Sequence, residues 1–515
     1  MVTIETSVYN ATVDLLERNS VRADAPYLVT PRRTWTYGEV IEAANGAGAG
    51  LLELGLRRGD RVLLALQDSP EFVITFWGAM KAGLVPVPVA AGLSSADIHF
   101  MLSDSEARVA VCDLPSSSAV IPAAAKAGVE VLFVGGVRDG ARTWAEVCGR
   151  PGSLDAAPTT GHDTALWLYT SGTTGLPKAV IHRHQDLQAA PNALAQQIIE
   201  LGPDDVVFSV SKMFFAYGLG NSVYLPASAG ASVIVHDGPS IPARIAALLD
   251  EHEPTVLFGV PAFFAGYANL DEATIPSSVR VVLSAGEAMK QSLFDTFKTR
   301  FGLELLDGLG STEALHHFSC NRAGDVVPGS AGRPLDGYEV KVLDREQEPV
   351  TDGSSGELWV KGPTLFAGYW RRPDLTSRAF MGEWMRTGDL VRVVDGRIFH
   401  EGRLDDLIKL GGVWVSPSEV EELLATHPDV ADVAVVTVDD EVGVPTLKAF
   451  VLSERDDKTL IAELRRMCRG KLATFKIPKA FEIVPELPRT PTGKLKRFVL
   501  RGGTADGTTD EIRLP

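Results

Sequence analysis

Residues 169–178 read Tyr-Thr-Ser-Gly-Thr-Thr-Gly-Leu-Pro-Lys. Thr170, Ser171, Thr173 and Thr174 supply hydroxyl donors, Gly172 and Gly175 let backbone N–H groups approach an anion closely, and Lys178 adds a point charge. Together they have the chemistry of a polyphosphate cradle, and ATP is the expected ligand. An apolar run, Ala165-Leu-Trp-Leu168, comes before them and Val180-Ile181 after, which is more structure than a plain surface turn carries. The spacing also sets the loop apart from Gly-x-x-x-x-Gly-Lys-Ser/Thr. Only two residues separate Gly172 from Gly175, and Leu-Pro intervenes before Lys178, so a P-loop kinase or motor ATPase is not expected.

The elements that must hold this loop follow an alternating pattern. From residue 27 to about 400, short apolar runs (61–66, 107–112, 129–134, 231–235 and 279–284) alternate with amphipathic helical stretches such as 72–82. Buried strands interleaved with helices predict an α/β fold built mainly on parallel sheets. Between about 329 and 400 the texture becomes Gly/Pro-punctuated strands such as 338–343 and 356–361, which predicts a β-rich subdomain. After Gly402 it changes again. Ser416-Pro417 enters an amphipathic helix, followed by strands at 433–438 and 447–452, a helix at 460–470 and a strand at 480–484. The expected division is a large N-terminal domain, 1–404, with the β-rich part at its end, and a small mobile α+β domain, 405–515. The polar tail 502–515 reads as frayed.

Composition narrows the function classes. The 515 residues carry 66 Asp and Glu against 49 Lys and Arg, a formal charge of −17 that repels nucleic acid and anionic membranes outside local basic sites. Cys112, Cys148, Cys320 and Cys468 are far apart and lie in no Cys/His cluster, which supports neither a disulfide framework nor a zinc site. The opening residues lack a signal-peptide pattern, and no apolar run approaches the ~20 residues of a membrane span. A cytoplasmic protein with no nucleic-acid or membrane partner is expected.

Four further clusters follow the loop in order. They are Asp307-Gly-Leu-Gly-Ser-Thr-Glu313, Arg386-Thr-Gly-Asp389, Gly402-Arg-Leu-Asp-Asp-Leu-Ile-Lys-Leu-Gly-Gly412 and Pro488-Arg-Thr-Pro-Thr-Gly-Lys494. The ordered set resembles the adenylate-forming superfamily of acyl-CoA synthetases, nonribosomal adenylation domains and luciferases, over nearly the whole chain. Residues 212–221, 310–316 and 412–421 resemble its benzoate-CoA ligase branch most closely.

The resemblance implies a two-step reaction, in which a carboxylic acid and Mg-ATP give acyl-AMP and pyrophosphate, and a thiol, that of coenzyme A, then displaces AMP. Negative charge gathers between carboxylate and α-phosphate in the first step, so positioned cations and donors should do most of the work. By resemblance Lys494 bridges the carboxylate and nucleotide, Thr312 donates to the α-phosphate, and Glu313 binds Mg²⁺ as a hard carboxylate. Asp389 takes the ribose hydroxyls with Arg403 beside it. Ala285, Gly286, Glu287, Asp307 and Gly308 flank the adenine. Without the family pattern, the same residues would read as a solvated lysine, a capping Ser-Thr-Glu, a turn aspartate and a surface arginine.

Leu410, Gly411 and Gly412 match the segment beside the coenzyme A tunnel, which serves the other half-reaction from Lys494. Asp405 matches the hinge about which the small domain turns between steps. Phe215, Ala216, Tyr217, Gly218, Gly310 and His316 match the acyl pocket, pointing to benzoate, a substituted benzoate or another bulky cyclic acid. His317 departs from the pattern by replacing an aliphatic residue, and Ala179 by replacing a glycine. Two neighbouring histidines without a third ligand do not predict zinc. Other readings of the same residues are transfer of the acyl group to a separate carrier or partner protein, and a non-catalytic nucleotide-binding protein; a homodimer is compatible with either.

Overall fold

A computed structural model describes residues 7–171, 177–287, 289–404, 408–410, 413–415, 417–439, 445–455, 458–489, 495 and 497–502. The chain divides into two compact units, one comprising Met1–Lys341, Trp359–Thr387 and Val393–Phe399, the other Val342–Leu358, Gly388–Arg392 and His400–Pro515.

The larger unit is organised by two sheets. One has nine strands, and its central six run parallel in the order Leu305–Gly310, Val281–Ser284, Val256–Gly259, Val206–Ser209, Ser232–Ile234 and Pro26–Val29. Antiparallel strands finish it at both edges. The other has five parallel strands in the order Val85–Pro88, Arg61–Ala65, Val109–Cys112, Glu130–Phe133 and Arg142–Thr143. Strands covered on both faces need apolar side chains at every position, which is why they read as unbroken hydrophobic runs. Val109–Cys112, Val256–Gly259 and Val281–Ser284 are buried at every residue. The expected mainly parallel α/β architecture is observed.

Helix Pro70–Lys81 shows how local sequence sets the packing. Ser69 caps it by accepting from the Phe72 N–H, and Pro70 occupies the first turn, where the missing N–H costs nothing. It packs on helix Tyr37–Glu53 through glycines. A Cβ on Gly78 would lie 2.5 Å from the Ala44 carbonyl oxygen and one on Gly48 2.5 Å from that of Gly78, so only glycine allows this approach.

A third sheet of this unit is antiparallel, Gly368–Tyr369 beside Pro177–Arg183 beside Thr164–Ser171. The run that reads as one long loop is therefore a hairpin. Thr170 pairs with Lys178 and Ser171 with Pro177, so both flanks of the Gly/Thr-rich stretch are strand.

The smaller unit has its own core. Strands Asp432–Asp439 and Pro445–Leu452 pair antiparallel, and Ala480–Val484 adds parallel to the second. Helices Pro417–Leu424 and Lys458–Lys471 bury Val420, Leu424, Leu460, Leu464 and Cys468 with Val435 and Ala449. All four cysteines are buried and unpaired. Among the described residues, no helix is long and apolar enough to cross a membrane.

Candidate active site

In open parallel sheets, ligands bind beyond the carboxyl ends of the strands. Residues 210–218, 285–287 and 311–316 follow the carboxyl ends of three strands of the nine-stranded sheet. Strand Val281–Ser284 leads into Ala285, Gly286 and Glu287, with Ala285 buried, Gly286 at φ 98° and Glu287 exposed. Its neighbour Leu305–Gly310 carries Asp307, Gly308 and Gly310, with Ser284 paired to Asp307. These three residues lie within the strand. Burial drives the Asp307 carboxyl well above the usual carboxylate range, opposed by the N–H groups of Met289 and Gly308 and the Ser284 hydroxyl.

The strand ends in a short 3₁₀ turn, Thr312–Ala314, capped by Ser311, whose Oγ accepts from the Ala314 N–H at 3.2 Å. The capping and functional readings of Ser-Thr-Glu are thus both available to one turn. Each backbone carbonyl of the turn is held from elsewhere. The Thr312 oxygen accepts from His182 Nε2 at 2.7 Å, the Glu313 oxygen from the Phe366 N–H at 2.8 Å, and the Ala314 oxygen from the Thr364 hydroxyl at 2.6 Å. Leu315, next in the chain, has φ 64°, a conformation that persists only where its surroundings fix it. The Glu313 side chain is also fixed, with Oε1 accepting from the Tyr369 hydroxyl at 2.8 Å. Lys178 Nζ sits 4.4 Å from the centre of the same tyrosine ring, a cation–π distance. Tyr369 therefore joins the phosphate-loop hairpin to the carboxylate turn.

The candidate acyl-pocket segment begins at Lys212, whose Nζ lies 3.5 Å from the buried Asp68 carboxylate and 2.8 Å from the His236 carbonyl. Asp68 also accepts from the Met213 N–H at 2.9 Å, pinning the backbone before the aromatic run. Phe215 precedes helix Ala216–Leu219. The Tyr217 ring packs at centroid distances of 6.0 Å from Phe258, 5.5 Å from His316 and 5.4 Å from His317. His316 Nε2 lies 3.1 Å from Asn221 Oδ1, and its Nδ1 lies 3.0 Å from Nδ1 of His317. Burial pushes both imidazoles below the usual histidine range, His316 helped by its neighbour and His317 reaching about 4 against a smaller pull from the Ser284 backbone. Both rings are neutral at pH 7, so this wall is aromatic and uncharged. Gly218 and Gly310 have packing reasons, since a Cβ would lie 2.0 Å from the Lys212 carbonyl oxygen and 2.4 Å from that of His316.

In the smaller unit, Asp389 lies in strand Trp384–Val394 and accepts on Oδ1 from Arg403 at 2.8 Å and His400 Nε2 at 3.2 Å. Burial alone would raise this carboxyl. The bonds and charges of His400 and Arg403 outweigh it and hold the pKa at about 2. Asp389 is therefore an ionised, acceptor-only group suited to hydroxyl donors. The stability its ion pairs contribute is present above the ordinary carboxylate pKa and is lost only as pH falls toward 2. Asp389→Asn removes the charge but keeps the shape. It is expected to raise KM for ATP by about tenfold, the scale of one charged hydrogen bond, with the pH profile between 5 and 9 unchanged; an unaltered KM for ATP would refute the ribose role.

Two family signatures cover most of the sequence. The AMP-binding enzyme family matches residues 15–370, and the AMP-binding enzyme C-terminal domain matches residues 419–494. The chain belongs to the AMP-binding enzyme family. Benzoate–CoA ligase of Thauera aromatica is 38% identical over 506 residues, 96% of each chain. The 4-hydroxybenzoate–CoA/benzoate–CoA ligase of Rhodopseudomonas palustris is 36% identical over 97% of this chain and 95% of its own. The crystal structure of an anthranilate CoA ligase in complex with anthranoyl-AMP superposes with a TM-score of 0.90 at 34% identity, covering 96% of this chain and 97% of that one.

For this AMP-binding enzyme the sequence motifs missed three residues that the fold supplies: Tyr369, His182 and His400. Each reaches its partner from a separate element, so no local spacing marks it. His182 carried one usable signal, as it lies four residues beyond Lys178 on a strand and so shares its face. Of the predicted residues, Ser171 lies in its strand and Leu410 in strand Ile408–Leu410, paired with Val413. Gly172, Thr173, Thr174, Gly175, Asp405, Gly411, Gly412 and Lys494 lie outside the described residues.

Proposed function

We propose that the chain is an AMP-forming aromatic acid–CoA ligase, which activates a benzoate-type acid with ATP and passes the acyl group to coenzyme A. The observation that carries this reading is the Thr312–Ala314 turn, whose three backbone carbonyls and glutamate side chain are all held in place next to the phosphate-loop hairpin. Near-full-length relatives named for benzoate, 4-hydroxybenzoate and anthranilate support the acid class. The neutral wall of Tyr217, Phe258 and His316 fits an aromatic ring.

In the first step a carboxylate oxygen attacks the α-phosphorus, and the bond from that phosphorus to the β-phosphate bridge breaks, releasing pyrophosphate. Thr312 donates to the α-phosphate, Asp389 receives the ribose hydroxyls, and Lys494 offsets the charge shared by carboxylate and phosphate. Glu313 would hold Mg²⁺, which when bound neutralises the pyrophosphate. The fit is sound, because a carboxylate has about four lone-pair sites and Tyr369 engages one oxygen. In the second step the coenzyme A sulfur, its proton lost, attacks the acyl carbon, and the C–O bond to AMP breaks. Leu410, Gly411 and Gly412 belong to this step, with Asp405 the pivot between the two.

The test is a panel of benzoate, hydroxybenzoates, anthranilate, an alicyclic acid and a fatty acid, followed by pyrophosphate release and thioester formation. The expected result is turnover led by an aromatic acid and dependent on coenzyme A for thioester. A fatty acid leading the panel would overturn the acid class. Lys178, which leans on Tyr369, should aid the first step only modestly. Lys178→Ala is expected to slow pyrophosphate exchange by about three- to tenfold, the scale of a single half-buried charged contact; a loss as large as that from Lys494→Ala would reverse the ranking.

A further inference from the structure

His182 is fully buried, yet it belongs to neither the phosphate loop nor the acyl wall. It lies on strand Pro177–Arg183, on the face that also carries Lys178. Its Nε2 donates to the Thr312 carbonyl oxygen at 2.7 Å, since a carbonyl only accepts. On the other side of the ring, Nδ1 lies 3.3 Å from Asp186 Oδ2. Asp186 is itself fully buried in the first turn of helix His184–Leu194, where it accepts from the Arg183 N–H at 2.9 Å and Nε at 3.2 Å. Arg183 in turn donates to the Leu365 carbonyl at 2.9 Å, next to Phe366, whose N–H holds the Glu313 carbonyl at 2.8 Å. The strand that leaves the phosphate loop and the turn that carries Thr312 and Glu313 are thus connected by one side chain whose orientation is set from behind.

We propose that His182, oriented by Asp186, is a positioning residue for adenylation, fixing the Thr312–Glu313 turn relative to the phosphate-loop hairpin. The inference rests on the assignment of Thr312 and Glu313 to the first half-reaction. Since both partners are acceptors, the ring meets them as an imidazolium, donating from Nε2 to the carbonyl and from Nδ1 to the carboxylate, and so sets direction as well as distance. Displacements of about 1 Å in a reacting constellation can cost about 10²-fold, and loss of a group that orients metal ligands typically costs about 10- to 100-fold in metal affinity or activity.

The experiment compares the full-length enzyme with His182→Ala and His182→Gln, the second retaining an N–H donor. Three quantities are read: acid-dependent ATP–pyrophosphate exchange with its Mg²⁺ half-saturation, thioester formation from supplied acyl-AMP and coenzyme A, and the thermal midpoint. His182→Ala is expected to lower exchange by about 10- to 100-fold and raise the Mg²⁺ half-saturation, while thioester formation from supplied acyl-AMP stays within about threefold. His182→Gln should recover most of the exchange, and it decides the matter alone if the alanine variant does not fold. Unchanged exchange in both variants would overturn the proposal, as would equal loss of both half-reactions, which marks a purely structural role. Absence of exchange in the unaltered enzyme with every acid would overturn the functional reading, and this inference with it.

Discussion

Replacing Lys494 by alanine is expected to lower acid-dependent ATP–pyrophosphate exchange by about 10²- to 10³-fold, the scale of removing one positioned donor from a charge-developing transition state. The reason lies in the chemistry of the first step. Carboxylate and triphosphate repel each other, no side-chain nucleophile shares the load, and by resemblance Lys494 is the cation proposed to bridge the two anions. The neighbouring Arg497 is an unsuitable substitute because it is engaged in the small unit's own packing, donating to the Glu421 carboxylate at 2.9 Å and to the Val435 carbonyl at 3.0 Å. The thermal midpoint should stay within about 2 °C, as expected if the lysine acts in the reaction and not in the fold. Thioester formation from supplied acyl-AMP should survive, since that step needs no charge between acid and α-phosphate. Exchange within tenfold of the unaltered enzyme would remove Lys494 from the catalytic account.

Glu313→Gln is expected to have the second-largest effect, a fall of about 10²-fold in exchange with a raised Mg²⁺ requirement. Glutamine can still accept from the Tyr369 hydroxyl, and the turn's backbone remains held by His182, Phe366 and Thr364, so the geometry should persist while the charge is lost. Raising Mg²⁺ should recover part of the rate. A variant that matches the unaltered enzyme at every Mg²⁺ concentration would show that Glu313 shapes the turn without binding metal. Tyr369→Phe separates the two contributions further, because it keeps the ring beneath Lys178 but removes the donor to Glu313.

How far the sequence revealed this site depends on the range of each interaction. The parallel strands were legible because burial on both faces demands apolar residues throughout, as in Val281–Ser284 and Val109–Cys112. The order of the motifs likewise pointed to the right family. Asp307–Gly310 was less legible, because two of its four residues are glycines and only pairing with Val281–Ser284 on one side and His317–Cys320 on the other makes it strand. Gly308 is needed there because a Cβ would meet the His317 ring at 2.3 Å. The phosphate-loop flanks were misread similarly, since the cross-strand pairing of Thr170 with Lys178 is not visible in composition. Tyr369 and His400 were invisible because each acts on a carboxylate from a distant element, across 56 and 11 residues respectively.

The most direct test of the account is a two-stage single-turnover experiment on the full chain with an aromatic acid and Mg-ATP. Without coenzyme A, the account predicts enzyme-bound acyl-AMP and an equal amount of pyrophosphate; adding coenzyme A should convert that acyl-AMP to thioester with release of AMP. Formation of ADP, or of acyl-AMP that coenzyme A does not discharge, would contradict it.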